Sequence, residues 1–327
     1  MILAGDIGGT KTKLALFKAE GGILQVQVQQ TFASQAYSSL NEVIMAFEEQ
    51  TPIPKIESVC LGIAGPVMDG HCRTTNLPWE INGAELQQHL HVKKVHLMND
   101  LEATAFGMLY VPEDEFVDLN PDARRSNGNC AVIAAGTGLG EAMLYDDGTH
   151  YHPIASEGGH SDFAPMTEQQ DELLQWLRQR YPGHVSYERI LSGSGIYTLY
   201  EFLVETGIAS EPDCMMNIPE GMDPATMVSK CALNEADPLC LEALRLFAEI
   251  YGAEAGNLAL KSMSLGGVYI GGGIAPKILP MLTDKHFMNG FLRKGRFEEM
   301  LRGVKVKICL NPDTALIGAA YFALDRL

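Results

Sequence analysis

The sequence lacks any apolar run long enough to cross a bilayer, which takes about 20 consecutive residues. Its first residues, Met1-Ile2-Leu3-Ala4, enter a strand pattern with neither the basic region nor the apolar stretch of a signal peptide. Membrane association is not expected, and the chain reads as cytoplasmic. Positive charge is also scarce: 24 Lys and Arg stand against 41 Asp and Glu, a net charge of −17 at pH 7. So acidic a chain is a poor partner for nucleic acid or an anionic membrane. Any phosphate site must therefore be built locally, from backbone N–H groups and a metal ion. The seven cysteines, Cys60, Cys72, Cys130, Cys214, Cys231, Cys240 and Cys309, include no Cys-x-x-Cys pair, and several sit in apolar runs such as Val59-Cys60-Leu61. Buried free thiols in a reducing compartment are expected, rather than disulfides or zinc. The Gly-Lys-Ser/Thr of a P-loop is absent as well.

What is present is a chain of 327 residues, 46% hydrophobic and 20% charged. That is ordinary for a folded protein and long enough that two domains with a cleft between them are the default. Glycine is plentiful, and much of it falls in short runs at the ends of apolar strands. Residues 2–5 are apolar, residues 12–18 alternate, and Asp6-Ile7-Gly8-Gly9-Thr10 lies between them, which reads as a β-hairpin with a glycine-rich tip. Leu40, Val43, Ile44 and Phe47 follow helical spacing behind a Ser39/Glu42 capping pattern. Buried strands are expected at Val59–Ala64 and Val95–Met98, with a helix over about 101–109. Such alternation points to an α/β fold. After a break near Pro112 the opening pattern recurs: strand Ala131–Ala135, turn Gly136-Thr137-Gly138-Leu139-Gly140, strand Glu141–Tyr145. The repeat suggests an internal duplication. Farther on, Asp223-Pro224 and Asp237-Pro238 read as N-caps followed by first-turn prolines. The second of these opens a long helix through Leu241, Leu244, Phe247, Ile250 and Tyr251. A strand at Val268–Ile270 ends in Gly271-Gly272-Gly273, a last strand covers Val304–Leu310, and a helix from about Thr314 closes the chain.

Five sets of residues could carry chemistry. In the first turn, glycines let N–H groups approach phosphate oxygens. Thr10 adds a hydroxyl, Lys11 a charge, and Asp6 could hold Mg²⁺ through water. Thr137 and Gly138 form a second cradle of this kind, and Gly272 with Gly273 could let an adenine and ribose lie on the backbone. A plain tight turn is the alternative at each place. Asn99 and Asp100 sit at the C-terminal end of a strand, where α/β sheets place ligands. Asp100 could take a proton from an attacking hydroxyl, or the pair could serve as a helix cap; both roles can coexist. Glu157-Gly158-Gly159-His160 puts a carboxylate and an imidazole on a glycine-loosened loop, suited to vicinal hydroxyls. Zinc at His160 is the rival, discounted because no cysteine cluster follows. Glu188, taken from its neighbours alone, reads as a solvated helix surface.

With these motifs in place, the chain resembles the bacterial glucokinases, within the hexokinase-like branch of the actin-like ATPases. The resemblance covers nearly the whole length and rests on the motifs above, together with Ala64-Gly65-Pro66, Thr75-Asn76 with Trp79, Asp162-Phe163-Ala164-Pro165 and Glu188-Arg189-Ile190-Leu191-Ser192-Gly193. It implies a two-domain, ribonuclease H-like α/β fold, with a small domain of 1–111 plus 312–327 and a large one of 112–311. It implies Mg-ATP and D-glucose as ligands and Asp100 as the base toward the 6-hydroxyl. Asn99, Glu157, His160 and Glu188 would hold the sugar, which reverses the surface reading of Glu188. Gly8, Gly9, Thr10 and Thr137 would hold phosphates, and a homodimer is implied. No residue is assigned to bind a metal directly. The sequence departs from its relatives at Leu101-Glu102, where Glu102 adds a carboxylate beside the base, and at Ser194, where proline is common. The zinc cysteines and leading DNA-binding domain of the related repressor-and-kinase family are missing. A kinase for another hexose or an amino sugar, or a catalytically silent sugar sensor, are the competing readings.

Overall fold

The computed structural model describes residues 1–51, 55–124, 126–208 and 210–326. The elements run β1 (Ile2–Ile7), β2 (Lys11–Glu20), β3 (Ile23–Ala33), α1 (Leu40–Gln50), β4 (Ser58–Ile63), β5 (Val67–Met68), β6 (His71–Arg73), β7 (Glu80–Asn82), α2 (Gly83–His89), β8 (Val95–Asn99) and α3 (Asp100–Gly107). They continue with β9 (Phe116–Asp118), β10 (Cys130–Ala135), β11 (Leu139–Asp146), β12 (Tyr151–Ser156), α4 (Glu168–Arg180), α5 (Gly193–Glu205), α6 (Asp213–Met216), α7 (Pro224–Glu235) and α8 (Pro238–Ser262). The last are β13 (Gly267–Gly271), α9 (Leu279–Thr283), α10 (Lys285–Leu292), α11 (Glu298–Arg302), β14 (Val306–Cys309) and α12 (Thr314–Asp325). Two compact units result: Met1–Glu115 with Ala142–Ala155 and Asn311–Leu327, and Phe116–Glu141 with Ser156–Leu310.

One sheet has the order β3-β2-β1-β4-β8. Strand β1 pairs antiparallel with β2 and parallel with β4, and β4 pairs parallel with β8. A second sheet has the order β12-β11-β10-β13-β14-β9, with β10, β13 and β14 parallel and β9 antiparallel at the edge. Each sheet thus holds a glycine-tipped hairpin whose first strand pairs in parallel with a later strand. This is the repeated pattern read from the sequence. Strand β3 was not legible there: its residues are mostly Gln, Val and Thr, and most of them face solvent along the sheet's edge.

In the first unit both sheet faces are covered. Leu3, Leu14, Leu61, Val43, Ile44, Phe47 and Trp79 form one core. Ile2, Ala4, Cys60, Met98 and Ala103 form the other, beneath Leu316, Ala319, Ala320 and Ala323 of α12. A Cβ on Gly107 would overlap the Thr314 carbonyl, and one on Gly318 would overlap that of Ala103. The backbones of α3 and α12 therefore touch, which fixes the helix that begins at Asp100. In the second unit α8 is buried almost all round, as a central helix must be. Its Tyr251 hydroxyl accepts from Ala135 N–H (3.1 Å) and donates to the Ile133 carbonyl (3.2 Å), tying α8 to the end of β10.

The expectation of free thiols throughout is corrected here. Cys214 of α6 and Cys231 of α7 form a disulfide, with Cα atoms 6.6 Å apart. They lie 17 residues apart in sequence, and only the packing of α6 on α7 brings them within bonding reach. With both sulfurs in the bond, the pair and nearby Glu235 offer no thiolate to a metal. Cys60, Cys72, Cys130, Cys240 and Cys309 stand outside this disulfide and are buried. No helix among the described residues is long and apolar enough to cross a membrane.

Candidate active site

The site residues expected from the sequence fall into two sets, one in each unit. The first set begins at the turn between β1 and β2. Gly8 N–H donates to Lys11 O (3.0 Å), and Ser34 closes the turn from outside. The Ser34 N–H donates to Thr10 O (3.0 Å) and its hydroxyl to Gly8 O (2.7 Å). Ser34 is wholly buried and belongs to no motif in the sequence. Gly9 has no room for a side chain, since a Cβ would sit 2.7 Å from that of Asn76. Among the described residues nothing accepts a hydrogen bond from Gly9 or Thr10 N–H, so the donors of this turn are available to a phosphate. Asp6 stands at the end of β1. Burial raises its carboxyl above the ordinary range, against Lys13, with Asp313 adding to the rise. Lys13 Nζ lies 2.5 Å from Asp313 Oδ1 and 3.0 Å from Pro312 O. Two carboxylates and a carbonyl around one cation are the hard oxygen donors that Mg²⁺ takes.

Asn99 ends β8 and is the N-cap of α3. Its side chain accepts from Leu101 N–H (2.9 Å) and donates to Gly65 O (3.2 Å). Asp100 is the first helical residue, half-buried, with Oδ1 2.9 Å from Leu101 N. The positive end of the helix dipole stabilises a carboxylate there. Gly62 of β4 lets this helix approach, as a Cβ would fall 2.8 Å from that of Ala103. Cap and candidate base thus coexist as adjacent residues. Glu102 is spoken for: its Oε2 accepts from Asn99 N–H (2.9 Å) and completes the capping box. The carboxylate noted beside Asp100 is part of the clip that holds the start of its helix.

The second set surrounds the turn from β10 to β11. Gly136 N–H donates to Gly138 O (2.8 Å) and Gly193 N–H to Gly136 O (2.8 Å). The N–H groups of Thr137 and Gly138 have no acceptor among the described residues. Glu188 lies directly under Gly138, leaving no space for a Cβ, and accepts from Leu139 N–H at 3.0 Å. Its other oxygen is 4.0 Å from His160 Nε2. A short antiparallel contact brings them together: Phe163 N–H donates to Val185 O (2.9 Å) and Tyr187 N–H to Ser161 O (3.1 Å). Glu188 sits in a single 3-10 turn, half-buried, and not on a solvated helix face. His160 and Glu188 border a cavity of about 340 Å³ with Arg180, Tyr181 and His184. Among the described residues His160 belongs to no group of three metal-ligating side chains.

Glu157 precedes the 3-10 turn Gly158–His160. The two glycines there do not loosen the loop. A Cβ on Gly159 would overlap the Leu139 carbonyl, and one on Gly158 would overlap the Glu141 carboxyl. They let the loop press against β11. The third glycine run divides similarly. Gly272 has φ +83° and packs on the backbone of Ala135, which demands glycine, whereas Gly273 faces open space. Beyond it, Ile274 and Lys277 with Thr226, Ser229 and Lys230 of α7 line a cavity of about 330 Å³. The polar face of α7 was not marked as part of a site in the sequence, because nothing local distinguishes it from a solvated helix.

The glucokinase family model matches residues 3–326. A glucokinase of Nostoc punctiforme is 38% identical over 99% of this chain and 98% of its own, and one of Synechocystis sp. is 39% identical over 98% and 97%. The crystal structure of a glucokinase from an Antarctic psychrotroph superposes with a TM-score of 0.88 at 31% identity, over 99% of this chain and 98% of its own. Taken with the two glycine-tipped hairpins, the α/β units of the actin-like ATPase fold and the intact candidate residues, these matches show that the chain belongs to the glucokinase family.

Proposed function

We propose that the protein transfers the γ-phosphoryl group of ATP to the 6-hydroxyl of D-glucose, giving ADP and glucose 6-phosphate, with Asp100 as the general base. The observation that carries this reading is Glu188. One of its oxygens is bonded to the second phosphate turn at Leu139, and the other faces His160. A carboxylate suited to sugar hydroxyls is thereby locked to a cradle suited to phosphate. Phosphoryl transfer asks little covalent chemistry of a protein beyond alignment and charge neutralisation. The N–H groups of Gly9, Thr10, Thr137 and Gly138, with Lys11, would hold the phosphates, and Gly8, its own N–H turned to Lys11 O, would let them approach the backbone. Gly272 and Gly273 would border the adenosine. Asn99, Glu157, His160 and Glu188 would fix the sugar, and Asp100 would accept the hydroxyl proton as the oxygen attacks phosphorus. Asp6 fits a Mg²⁺ ligand acting through water, the ion supplying charge neutralisation when bound with ATP. A division into domains of 1–111 with 312–327 and 112–311, a homodimeric state and a cytoplasmic location, where ATP is supplied, belong to the same reading. Glucose-dependent release of ADP, measured across a panel of hexoses and amino sugars, tests it. Preference for mannose, fructose or an amino sugar would overturn the substrate, and no sugar-dependent turnover would overturn the activity.

A further inference from the structure

Beneath the loop that carries Glu157 and His160 lies a pair of carboxyl groups with no place in the mechanism above. Glu141 of β11 and Glu254 of α8 are 1% and 0% exposed. They lie close enough for the charge of Glu254 to act on Glu141. Two buried carboxylates at close range repel, which favours one of them carrying a proton. Glu254 is well supplied with donors, accepting from Asn257 Nδ2 (2.8 Å) and Lys261 Nζ (3.3 Å), with the Tyr187 hydroxyl also in reach. Glu141 is not: among the described residues its buried Oε1 has no donor. Its Oε2 fills the space where a side chain on Gly158 would go, beside Ser156 Oγ, which accepts from Gly158 N–H at 2.9 Å. The underside of the sugar loop therefore rests on the carboxyl group that lacks a donor.

We infer that Glu141 is a positioning residue for glucose binding: held neutral against Glu254 by one shared proton, it supports Gly158 and thereby sets the placement of Glu157 and His160. The inference rests on the assignment of Glu157 and His160 to the sugar. Burial first, then the Glu254 carboxylate, pushes the Glu141 carboxyl up to about 8 from its ordinary 4.5. The other titratable groups facing the pair are Lys261, Tyr187, Tyr251 and Lys294, the last pushed down to about 8 by burial. Loss of the shared proton would place two buried negative charges side by side under the loop, and the loop would have to yield. The unfolded chain releases this proton near 4.5 and the folded chain near 8. Between those values the folded state holds the extra proton, so the pair's contribution to stability falls as pH rises through the window and is gone above it.

The test compares glucose KM, kcat and Tm from about pH 6.5 to about pH 9.5 in the parent and four variants, a range that brackets the shifted titration. In the parent, KM for glucose should rise about fivefold or more across the range while kcat changes less, as when a loop is displaced without loss of the reacting groups. Tm without ligand should fall in the same interval. Glu141→Gln, the neutral isostere, should keep the parent's neutral-pH KM and flatten both alkaline changes. Glu141→Leu and Glu141→Ala should raise KM at every pH. Lys294→Arg cannot deprotonate in this range and should retain the parent's profile. The inference is overturned if Glu141→Gln keeps the alkaline rise, if the parent shows none, or if Lys294→Arg abolishes it. Should no variant or parent turn over glucose, the functional proposal fails separately, and the dependence of Tm on pH in parent and Glu141→Gln still decides whether the pair shares a proton. A parent profile identical to that of Glu141→Gln would refute that, because Lys294, lowered by burial, adds the same opposing slope to both.

Discussion

Replacing Gly159 with alanine isolates the geometry of the loop proposed to hold the sugar from its chemistry, because the substitution adds one methyl and removes no functional group. That methyl would overlap the backbone carbonyl of Leu139. A carbonyl in a sheet cannot swing aside as the end of a long side chain can, so the loop itself must retreat by about 1 Å, and a displacement of that size in a positioning element costs about 100-fold in rate. In free energy this is about 2.7 kcal/mol of transition-state stabilisation. Overpacking should also cost about 1–3 kcal/mol of stability, small enough to leave the protein folded at assay temperature. Steady-state kinetics of glucose phosphorylation, with circular dichroism and thermal melts alongside, give the answer. The expected result is an increase in glucose KM with KM for ATP nearly constant, since Glu157 and His160 move while the turn at Gly8–Thr10 does not. If kcat/KM for glucose stayed within about threefold of the parent in a folded variant, the close seating of the loop on β11 would have no bearing on sugar binding, against the expectation from orientation effects.

Asp100→Asn should fold and bind glucose normally but lower kcat by about 100- to 10,000-fold, the range removed with a general base; near-parental turnover would refute the assignment. Glu102→Gln keeps an acceptor for Asn99 N–H and loses only a helix-terminal charge. It should leave kcat within about twofold and cost about 0.5 kcal/mol in a denaturant melt. A large loss of kcat there would mean that Glu102 acts on the base directly. Gly273→Ala meets no atom within 4 Å, so its Tm should match the parent; if adenosine lies against this backbone, KM for ATP should rise while KM for glucose does not.

Much of the architecture was legible because it is written in local spacing. The i, i+3, i+4, i+7 pattern at Leu40–Phe47, the Asp-Pro openings of α7 and α8, and the paired strand–glycine–strand motifs each depend on near neighbours in the chain, and the elements stand where those signals put them. Strand β3 was missed because an edge strand exposed on most of its residues needs no apolar alternation. Ser34, which closes the turn between β1 and β2, carries no signal at all; it is placed there only because β3 folds back beside β2. The Cys214–Cys231 bond was missed for the same reason.

The sequence alone determined which residues could do chemistry: glycines that free N–H groups for phosphate, a carboxylate at the end of β8, and a carboxylate and imidazole on one short loop. Those are properties of residue type and of a few bonds along the chain. Tertiary structure decided what each one is free to do. Glu102 stood in the sequence as a second carboxylate beside Asp100, and packing made it the capping acceptor of Asn99. Glu188 looked like surface from its neighbours alone; the family resemblance reversed that, and the fold made it the tie between the turn at Leu139 and His160. Gly158 and Gly159 looked like flexibility and proved to be close contact. Glu141 looked like one more strand residue, and only its burial against Glu254 gives it a proton to hold. In each case the deciding quantity is distance to a group far away in sequence. Desolvation and hydrogen bonding act over a few ångströms of space, and the fold sets which residues share that space.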